Sequence, residues 1–247
     1  MTILRVDEDF NSIRKAGKVV RETLALVESK VKPGVTTAEL DAAAEKAIRS
    51  LGGEPAFKGY KGYPATICAA VNDVVVHGIP TRKRVLAEGD IVGVDVGARK
   101  EGFYADAART FAVGKVSETA FRLMEVTRES LKKGILQAIE GNRLFDISSA
   151  IQTYVNRNGF KEVRAFVGHG IGRQLHEPPE VPNWGVKGRG PILKSGLVLA
   201  VEPMVNAGTR DVRVLEDGWT AVTADGELSA HFEETIIIAR DEAEIIT

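Results

Sequence analysis

Residues 91–113 read IVGVDVGARKEGFYADAARTFAV, and this stretch decides the fold that we expect for the chain. It consists of two runs of small and β-branched residues separated by a charged turn at Lys100-Glu101, which predicts a β-hairpin. Asp95 and Asp106 interrupt these apolar runs, although carboxylates are depleted from strand interiors. The two acids therefore need an explanation.

If the chain reverses at Lys100-Glu101, Asp95 lies directly opposite Asp106 and their Cβ atoms are about 5 Å apart. Like charges at that distance repel, so the pair requires a cation between them or a proton on one carboxyl. Arg109 is the nearest basic candidate, but as the third residue after Asp106 on a strand it points to the opposite face. We therefore prefer a metal ion, while an edge strand, a solvated face or a salt bridge stays open for each acid taken alone.

Further acids and histidines interrupt apolar segments later in the chain. Glu202 lies in LVLAVEPMV, and Glu233 precedes TIIIA. His169 lies between two glycines, which let a backbone approach a ligand closely, so it is the preferred nitrogen ligand. His231 shares a strand face with Glu233 and competes with His169, and spacing does not separate the two. Four carboxylates and one imidazole favour two adjacent divalent ions that activate a water molecule.

Composition describes an ordinary globular chain of 247 residues, with 44% hydrophobic residues and a formal net charge of -1. We expect one domain over residues 1–247, with no general attraction to nucleic acid or to a membrane surface. The first residues, MTILRVDEDF, lack the basic and apolar regions of a secretory signal, so we expect a cytoplasmic protein. Cys68 is the only cysteine, which excludes an internal disulfide and limits metal ligands to oxygen and nitrogen atoms.

Hydrophobic periodicity predicts two helices followed by strands, and then the same order again. The predicted helices begin near Asp9, at Thr36 with a capping box to Glu39, at Ser117 and at Asp146. The predicted strands are Pro64 to Val71, Asp73 to His77, Ile91 to Ala98, Gly102 to Val113, Val163 to Gly168, Leu197 to Asn206, Val212 to Leu215, Trp219 to Thr223 and Ser229 to Ala239. Residues 177–194 are predicted to form an ordered loop. This order predicts an α+β fold with two duplicated halves.

Five segments, in matching order, resemble the type I methionine aminopeptidases, which are metallopeptidases of the pita-bread fold. They are PAFKGYKGYPATICAAVNDVVVHGIP, GDIVGVDVGARKEGFYADAARTFAVG, VGHGIGRQLHEPPEVPNW, LVLAVEPMV and SAHFEETIIIA. The chain resembles the short bacterial form. The resemblance implies two pseudo-symmetric halves, with helices covering a curved and mostly antiparallel sheet. It also implies an enzyme that hydrolytically removes the N-terminal methionine from nascent proteins and peptides.

The resemblance assigns a role to each matching residue. The implied metal ligands are Asp95, Asp106, His169, Glu202 and Glu233. Asp106 and Glu233 would bridge two divalent ions of Co, Mn, Fe or Zn. Glu202 would also move the proton of the attacking water, while His77 and His176 would bind the scissile amide and stabilise the oxyanion. The implied substrate pocket consists of Phe57, Tyr60, Tyr63, Cys68, His77, Leu175, His176 and Trp219.

Three positions depart from the family pattern. Leu175 stands where an aromatic residue is common, which predicts a looser pocket. His231 and Glu234 stand where glutamine and histidine are common, so the surroundings of Glu233 differ from those in relatives. The aromatic residues assigned to the pocket could instead be ordinary core residues.

Two other functions share this fold. An X-Pro peptidase such as a prolidase would have the same five ligands, but those relatives carry a separate N-terminal domain, and here only residues 1–54 precede the pocket segment. A non-catalytic binding module would have lost ligands, whereas all five are present. We expect peptides and nascent chains with N-terminal methionine as partners, transient association with the ribosome, and a monomer. No segment indicates a nucleic-acid site or a ribosome docking surface.

Overall fold

The computed structural model describes residues 1–247 as an α+β protein. The helices are α1 (Asp7–Glu28), α2 (Thr37–Ser50), α3 (Glu118–Ile135) and α4 (Leu144–Arg157), with one 3-10 turn at Tyr60–Gly62. The strands are β1 (Glu54–Pro55), β2 (Ile67–Val71), β3 (Val74–Val76), β4 (Ile91–Lys100), β5 (Phe103–Ala112), β6 (Lys161–Glu162), β7 (Gly168–Gly170), β8 (Glu177–Val181), β9 (Val198–Val201), β10 (Met204–Asn206), β11 (Val212–Val214), β12 (Ala221–Thr223), β13 (Ser229–His231), β14 (Glu234–Ile237) and β15 (Glu244–Ile245). The repeated order of two helices followed by strands confirms the predicted fold class.

The strands form antiparallel sheets that belong mainly to one half or the other. In the first sheet, β4 pairs with β5 on one edge and with β2 and β1 on the other. The largest sheet of the second half has the order β15-β14-β9-β7-β8. Two smaller sheets, β13-β10-β6 and β11-β12-β3, complete the structure, and β3 of the first half joins the latter.

Helices cover these sheets and bury two apolar cores. Helix α1 packs on β4 and β5, with Ile13 and Val20 fully buried in the first core. Helices α3 and α4 pack on each other and supply Leu123, Ile147 and Ile151 to the second core. Because each such side chain contributes about 1.5–3 kcal/mol when buried, these contacts hold the sheets in place.

Local sequence explains where the helices begin. Thr36 caps α2 through the predicted capping box, because Glu39 N donates to the Thr36 hydroxyl and Thr36 N donates to the Glu39 carboxylate. The prediction that Asp146 caps the fourth helix is wrong, since α4 already begins at Leu144. Asp146 lies in the first turn, where its carboxylate accepts a hydrogen bond from Arg143 N at 2.8 Å.

Two long predicted strands are each interrupted. The strand predicted from Leu197 to Asn206 is divided into β9 and β10 by Glu202 and Pro203, and a proline has no N–H to donate to a ladder. The strand predicted from Ser229 to Ala239 is divided into β13 and β14 around Glu233. Each interruption contains a candidate metal ligand. The backbone hydrogen-bond ladder is therefore broken at the residues that present these side chains to the candidate site.

The prediction of a strand from Val163 to Gly168 is wrong. Strand β6 pairs with β10, whereas β7 pairs with β8 and β9, so the chain uses residues 163–167 to cross between two sheets. The predicted loop at residues 177–194 begins with the edge strand β8. None of the helices is long and apolar enough to cross a membrane.

Candidate metal centre

Asp95 and Asp106 approach each other through a register that differs from the predicted one. The hairpin turns at Glu101-Gly102, where both residues have positive φ (49° and 83°), as a two-residue hairpin turn of this kind requires. Asp106 consequently lies opposite Gly97, and the prediction that it pairs with Asp95 is wrong. The shift is two residues, so both carboxylates stay on the same face of the hairpin as diagonal neighbours.

Three residues of the second half complete the cluster. His169 Nε2 lies 3.5 Å from Asp106 Oδ2 and 3.6 Å from Glu202 Oε1. Asp106, His169 and Glu233 are buried, and each offers a ligand atom that lies within 4.8 Å of the others. Residues that are distant in the sequence therefore converge on one small volume.

The ring of His169 is held in the form that binds metal ions. Its Nδ1 lies 2.9 Å from the carbonyl oxygen of Gly170, so this nitrogen carries the proton and donates. Burial lowers the pKa of His169 to about 4, which makes the ring neutral at neutral pH. Nε2 then directs a lone pair toward two carboxyl groups, an arrangement that is unfavourable unless a cation lies among them or one carboxyl holds a proton.

The carboxyl groups of the cluster crowd together, and none of them forms a salt bridge with a lysine or an arginine. Desolvation, reinforced by the neighbouring carboxylates, raises the pKa values of Asp95, Glu202 and Glu233 well above their ordinary range. Desolvation also raises the pKa of Asp106 to about 6. Asp95 Oδ1 is buried without a hydrogen-bond partner. This set of oxygen and imidazole donors fits divalent transition metals, which would satisfy these unpaired groups.

Arg109 lies behind the cluster, as its position on the strand predicted. It donates to the backbone carbonyl of Glu233 and forms a 2.6 Å ion pair with Glu234, one of the residues that depart from the family pattern. His231 is buried beside Glu202, with its Nε2 3.5 Å from Glu202 Oε2 and without a hydrogen-bond partner. His231 therefore approaches the Glu202 oxygen that His169 does not contact.

A cavity of about 180 Å³ opens beside the carboxylates. Its lining includes all five candidate ligands and seven of the eight predicted pocket residues: Phe57, Tyr60, Tyr63, Cys68, His77, His176 and Trp219. Leu175 is the exception: it is buried in the first core and does not line the cavity. Lys61 also lines the cavity and was not predicted, although it lies between Tyr60 and Tyr63 in the segment KGYKGYP.

Two histidines enter this cavity from different walls. The His176 ring stacks on Tyr60, its Nδ1 lies 3.0 Å from the Tyr60 hydroxyl, and its centroid is 4.2 Å from that of His169. His77 packs edge-on against Trp219 and has an unusual positive φ of 59°. Burial lowers the pKa of His77, so its ring is neutral and can donate a hydrogen bond from one nitrogen.

Comparison with known proteins agrees with this arrangement. The model of metallopeptidase family M24 matches residues 11–240. A methionine aminopeptidase of Clostridium acetobutylicum is 53% identical over 247 residues, covering 100% of this chain and 99% of that protein. The crystal structure of a methionine aminopeptidase from Thermotoga maritima matches with a TM-score of 0.98 and 46% identity, covering 100% of this chain and 99% of that one.

A prolidase structure from Pyrococcus horikoshii matches with a TM-score of 0.80 and 23% identity, but the match covers only 64% of that chain. It shows a shared fold and nothing more. The pita-bread fold and the resemblance to methionine aminopeptidases are thus both confirmed, since the matches extend over the whole chain. The chain belongs to metallopeptidase family M24, in the group of the bacterial methionine aminopeptidases.

Proposed function

We propose that this chain is a metallo-aminopeptidase that hydrolytically removes the N-terminal methionine from nascent proteins and peptides. One observation carries the proposal: four carboxylates and a neutral imidazole converge on one wall of a cavity whose other walls are aromatic. The methionine aminopeptidases named above are similar over their whole length, which supports methionine as the recognised residue.

The centre would hold two divalent ions of Co, Mn, Fe or Zn. The proposed ligands are Asp95, Asp106, His169, Glu202 and Glu233. Four ionised carboxylates would be balanced in charge by two dications. When bound, the ions would polarise the scissile carbonyl and activate a water molecule. Because desolvation raises the pKa of Glu202, its carboxylate is suited to take the water proton and to deliver it to the leaving amine.

The two cavity histidines would bind the reacting peptide. If the Tyr60 hydroxyl donates to His176 Nδ1, the proton of His176 lies on Nε2, which can donate to the developing oxyanion. The neutral His77 would donate to the scissile amide from the opposite wall. Trp219 and the buried Cys68 would contact the flexible thioether side chain of the substrate.

We also propose that residues 1–247 act as one catalytic domain. Asp95 and Asp106 come from the first half and Glu233 from the second, so neither half has the complete set. As a further part of the proposal, the enzyme is a cytoplasmic monomer that meets its substrates on nascent chains and associates transiently with the ribosome.

The test uses protein stripped with a chelator and reloaded with Mn²⁺ or Co²⁺. Release of free methionine from a Met-Ala peptide is expected only after reloading. Hydrolysis of an X-Pro peptide in its place would assign the prolidase-like alternative. Failure to hydrolyse any of these peptides would instead favour a non-catalytic module.

A variant pair tests the role of Glu202. Glu202→Gln keeps the shape but cannot accept the proton, so kcat should fall by about 10²- to 10⁴-fold. Glu22→Gln is the matched control, because Glu22 is exposed on α1 and has only a loose contact with Lys18. Normal turnover by Glu202→Gln would remove Glu202 from the reaction.

A further inference from the structure

The first sheet contacts the second half of the chain along a seam whose hydrogen bonds do not belong to a regular strand pair. Residues 106–110 of β5 run antiparallel to residues 231–235, although β5 belongs to the first sheet and β13 and β14 lie in two others. In the middle of this seam, Glu233 N donates to Ala108 O at 2.9 Å. At each end of this seam, a threonine hydroxyl makes the hydrogen bonds that backbone groups make in a regular strand pair. We call residues 106–110 and 231–235 the hydroxyl seam.

Thr235 forms one end of the hydroxyl seam. Its hydroxyl accepts from Asp106 N at 3.1 Å, and it lies 2.8 Å from Asp106 O and 3.0 Å from Asp106 Oδ1, to either of which it can donate. The Thr235 side chain is completely buried. One oxygen atom therefore contacts both the backbone and the carboxylate of Asp106.

Thr110 forms the other end of the hydroxyl seam. Here the threonine belongs to the first segment, and the backbone groups that it binds belong to the second. Its hydroxyl donates to His231 O at 2.8 Å and accepts from His231 N at 2.9 Å. The two segments thus keep a single antiparallel register, in which Thr110 faces His231 and Asp106 faces Thr235. Without the hydroxyls, the backbone groups of Asp106 and His231 would lack these partners in a buried place.

The outer side of the seam is closed by further polar contacts. Thr235 N donates to the Thr247 hydroxyl at 2.9 Å, and that hydroxyl lies 2.8 Å from Glu234 Oε2. Glu234 in turn pairs with Arg109, which binds Glu233 O. These contacts hold the backbone of the seam from the side opposite the cavity.

We propose that Thr110 and Thr235 are positioning residues that set the separation between the Asp106 and Glu233 carboxylates. Asp106 and Glu233 belong to different halves of the chain. The distance between their carboxylates therefore depends on the hydrogen bonds across the hydroxyl seam. The inference rests on the proposed metal centre, because Asp106 and Glu233 are two of the ligands that it assigns. Loss of either hydroxyl leaves buried backbone groups unpaired, and the segments then shift to find other partners.

The test compares Thr235→Val, which keeps the shape of the side chain, with Thr235→Ser, which keeps the hydroxyl. Mn²⁺ binding to metal-free protein is measured by titration calorimetry, and kcat and KM are measured for a Met-Ala peptide. Thr235→Val should bind Mn²⁺ about 10- to 100-fold more weakly. It should lower kcat with little change in KM, because the aromatic walls are untouched. Thr235→Ser should restore both quantities.

The matched control is Thr127→Val, since Thr127 is fully buried in α3 and donates only to Leu123 O within its own helix. It should leave Mn²⁺ affinity unchanged. Equal Mn²⁺ affinity in Thr235→Val and the unaltered protein would overturn the seam proposal alone, and so would a Thr235→Ser variant as weak as Thr235→Val. No Mn²⁺ binding by the unaltered protein would overturn the metal centre itself and this proposal with it. If Thr235→Val does not fold, Thr110→Val and Thr110→Ser decide by the same criteria.

Discussion

Replacing Gly97 with alanine should narrow the proposed methionine pocket from behind. Gly97 lies on β4 opposite Asp106, and the ring of Phe57 packs against its backbone. An added Cβ would lie 2.4 Å from Phe57 Cε1, far inside the 3.4–4 Å of ordinary van der Waals contact. The ring must therefore move by about 1 Å to regain an ordinary contact. Because Phe57 lines the cavity, this movement narrows the space that is left for the substrate.

The expected magnitude follows from two costs. Overpacking of this kind usually destabilises a fold by about 1–3 kcal/mol. Losing room for roughly one methylene in an apolar pocket costs a similar amount of transition-state binding, or about 10- to 200-fold in kcat/KM. Gly93→Ala is the matched control on the same strand, because its Cβ would lie 3.4 Å from Ala70 Cβ, 3.5 Å from Thr110 Oγ1 and 3.6 Å from Ala70 O, all within the range of ordinary van der Waals contact. That variant should remain close to the unaltered protein.

The assay measures kcat/KM for one peptide beginning with methionine and for a second beginning with the shorter norvaline. Gly97→Ala should lose more activity toward methionine than toward norvaline, since the shorter side chain needs less room. Thermal unfolding reports the overpacking cost separately. Identical kinetics for Gly97→Ala and Gly93→Ala would refute the reasoning, as would an equal loss toward both peptides.

Three other outcomes are expected. Between pH 7.5 and 8.5, metal-free protein should lose stability as pH rises. The folded carboxyls with raised pKa retain protons that the unfolded chain has released, whereas the histidines are largely neutral in both states above pH 7.5, because their pKa is about 6.5 in the unfolded chain and lower in the folded one. The loss is up to about 1.4 kcal/mol per pH unit for each carboxyl that stays protonated, and calorimetric melting showing a flat or rising Tm would contradict it. Tyr60→Phe should lower kcat by about 10-fold or more with a smaller effect on KM, because His176 loses the partner that selects its tautomer; unaltered steady-state kcat would argue against that role. Glu234→Gln should reduce the free energy of unfolding by about 1–3 kcal/mol in urea titrations, because Arg109 is left without its counter-ion. The double variant Glu234→Gln with Arg109→Met should lose less stability than the sum of the two single variants. Simple additivity would show that the pair is not coupled.

Features set by local chemistry could be predicted from the sequence. The capping box of Thr36 and Glu39 requires only neighbouring residues, and it begins α2 as predicted. Four scattered acids were singled out because each interrupts an apolar segment, whereas the choice of His169 over His231 came from the resemblance to the family. The structure brings Asp106, His169 and Glu233 together although their spacing along the chain contains no distance information.

Features that depend on exact pairing were harder to predict. The hairpin register differs because the turn lies at Glu101-Gly102, where the glycine supplies one of the two positive φ values. Leu175 was assigned to the pocket by resemblance, but it is buried and does not line the cavity. The hydroxyl seam has no sequence signal at all, because Thr110 and Thr235 resemble any other β-branched strand residue until the two sheets are joined.

The division of the candidate ligands between two halves also affects how the protein is made. Asp95 and Asp106 are synthesised early, but they form no complete ion-binding set until the segment with Glu233 has left the ribosome and folded. If the candidate ligands bind the ions as proposed, metal uptake would follow synthesis of nearly the whole chain. A chain that is still being synthesised should therefore neither retain transition metals nor hydrolyse neighbouring polypeptides.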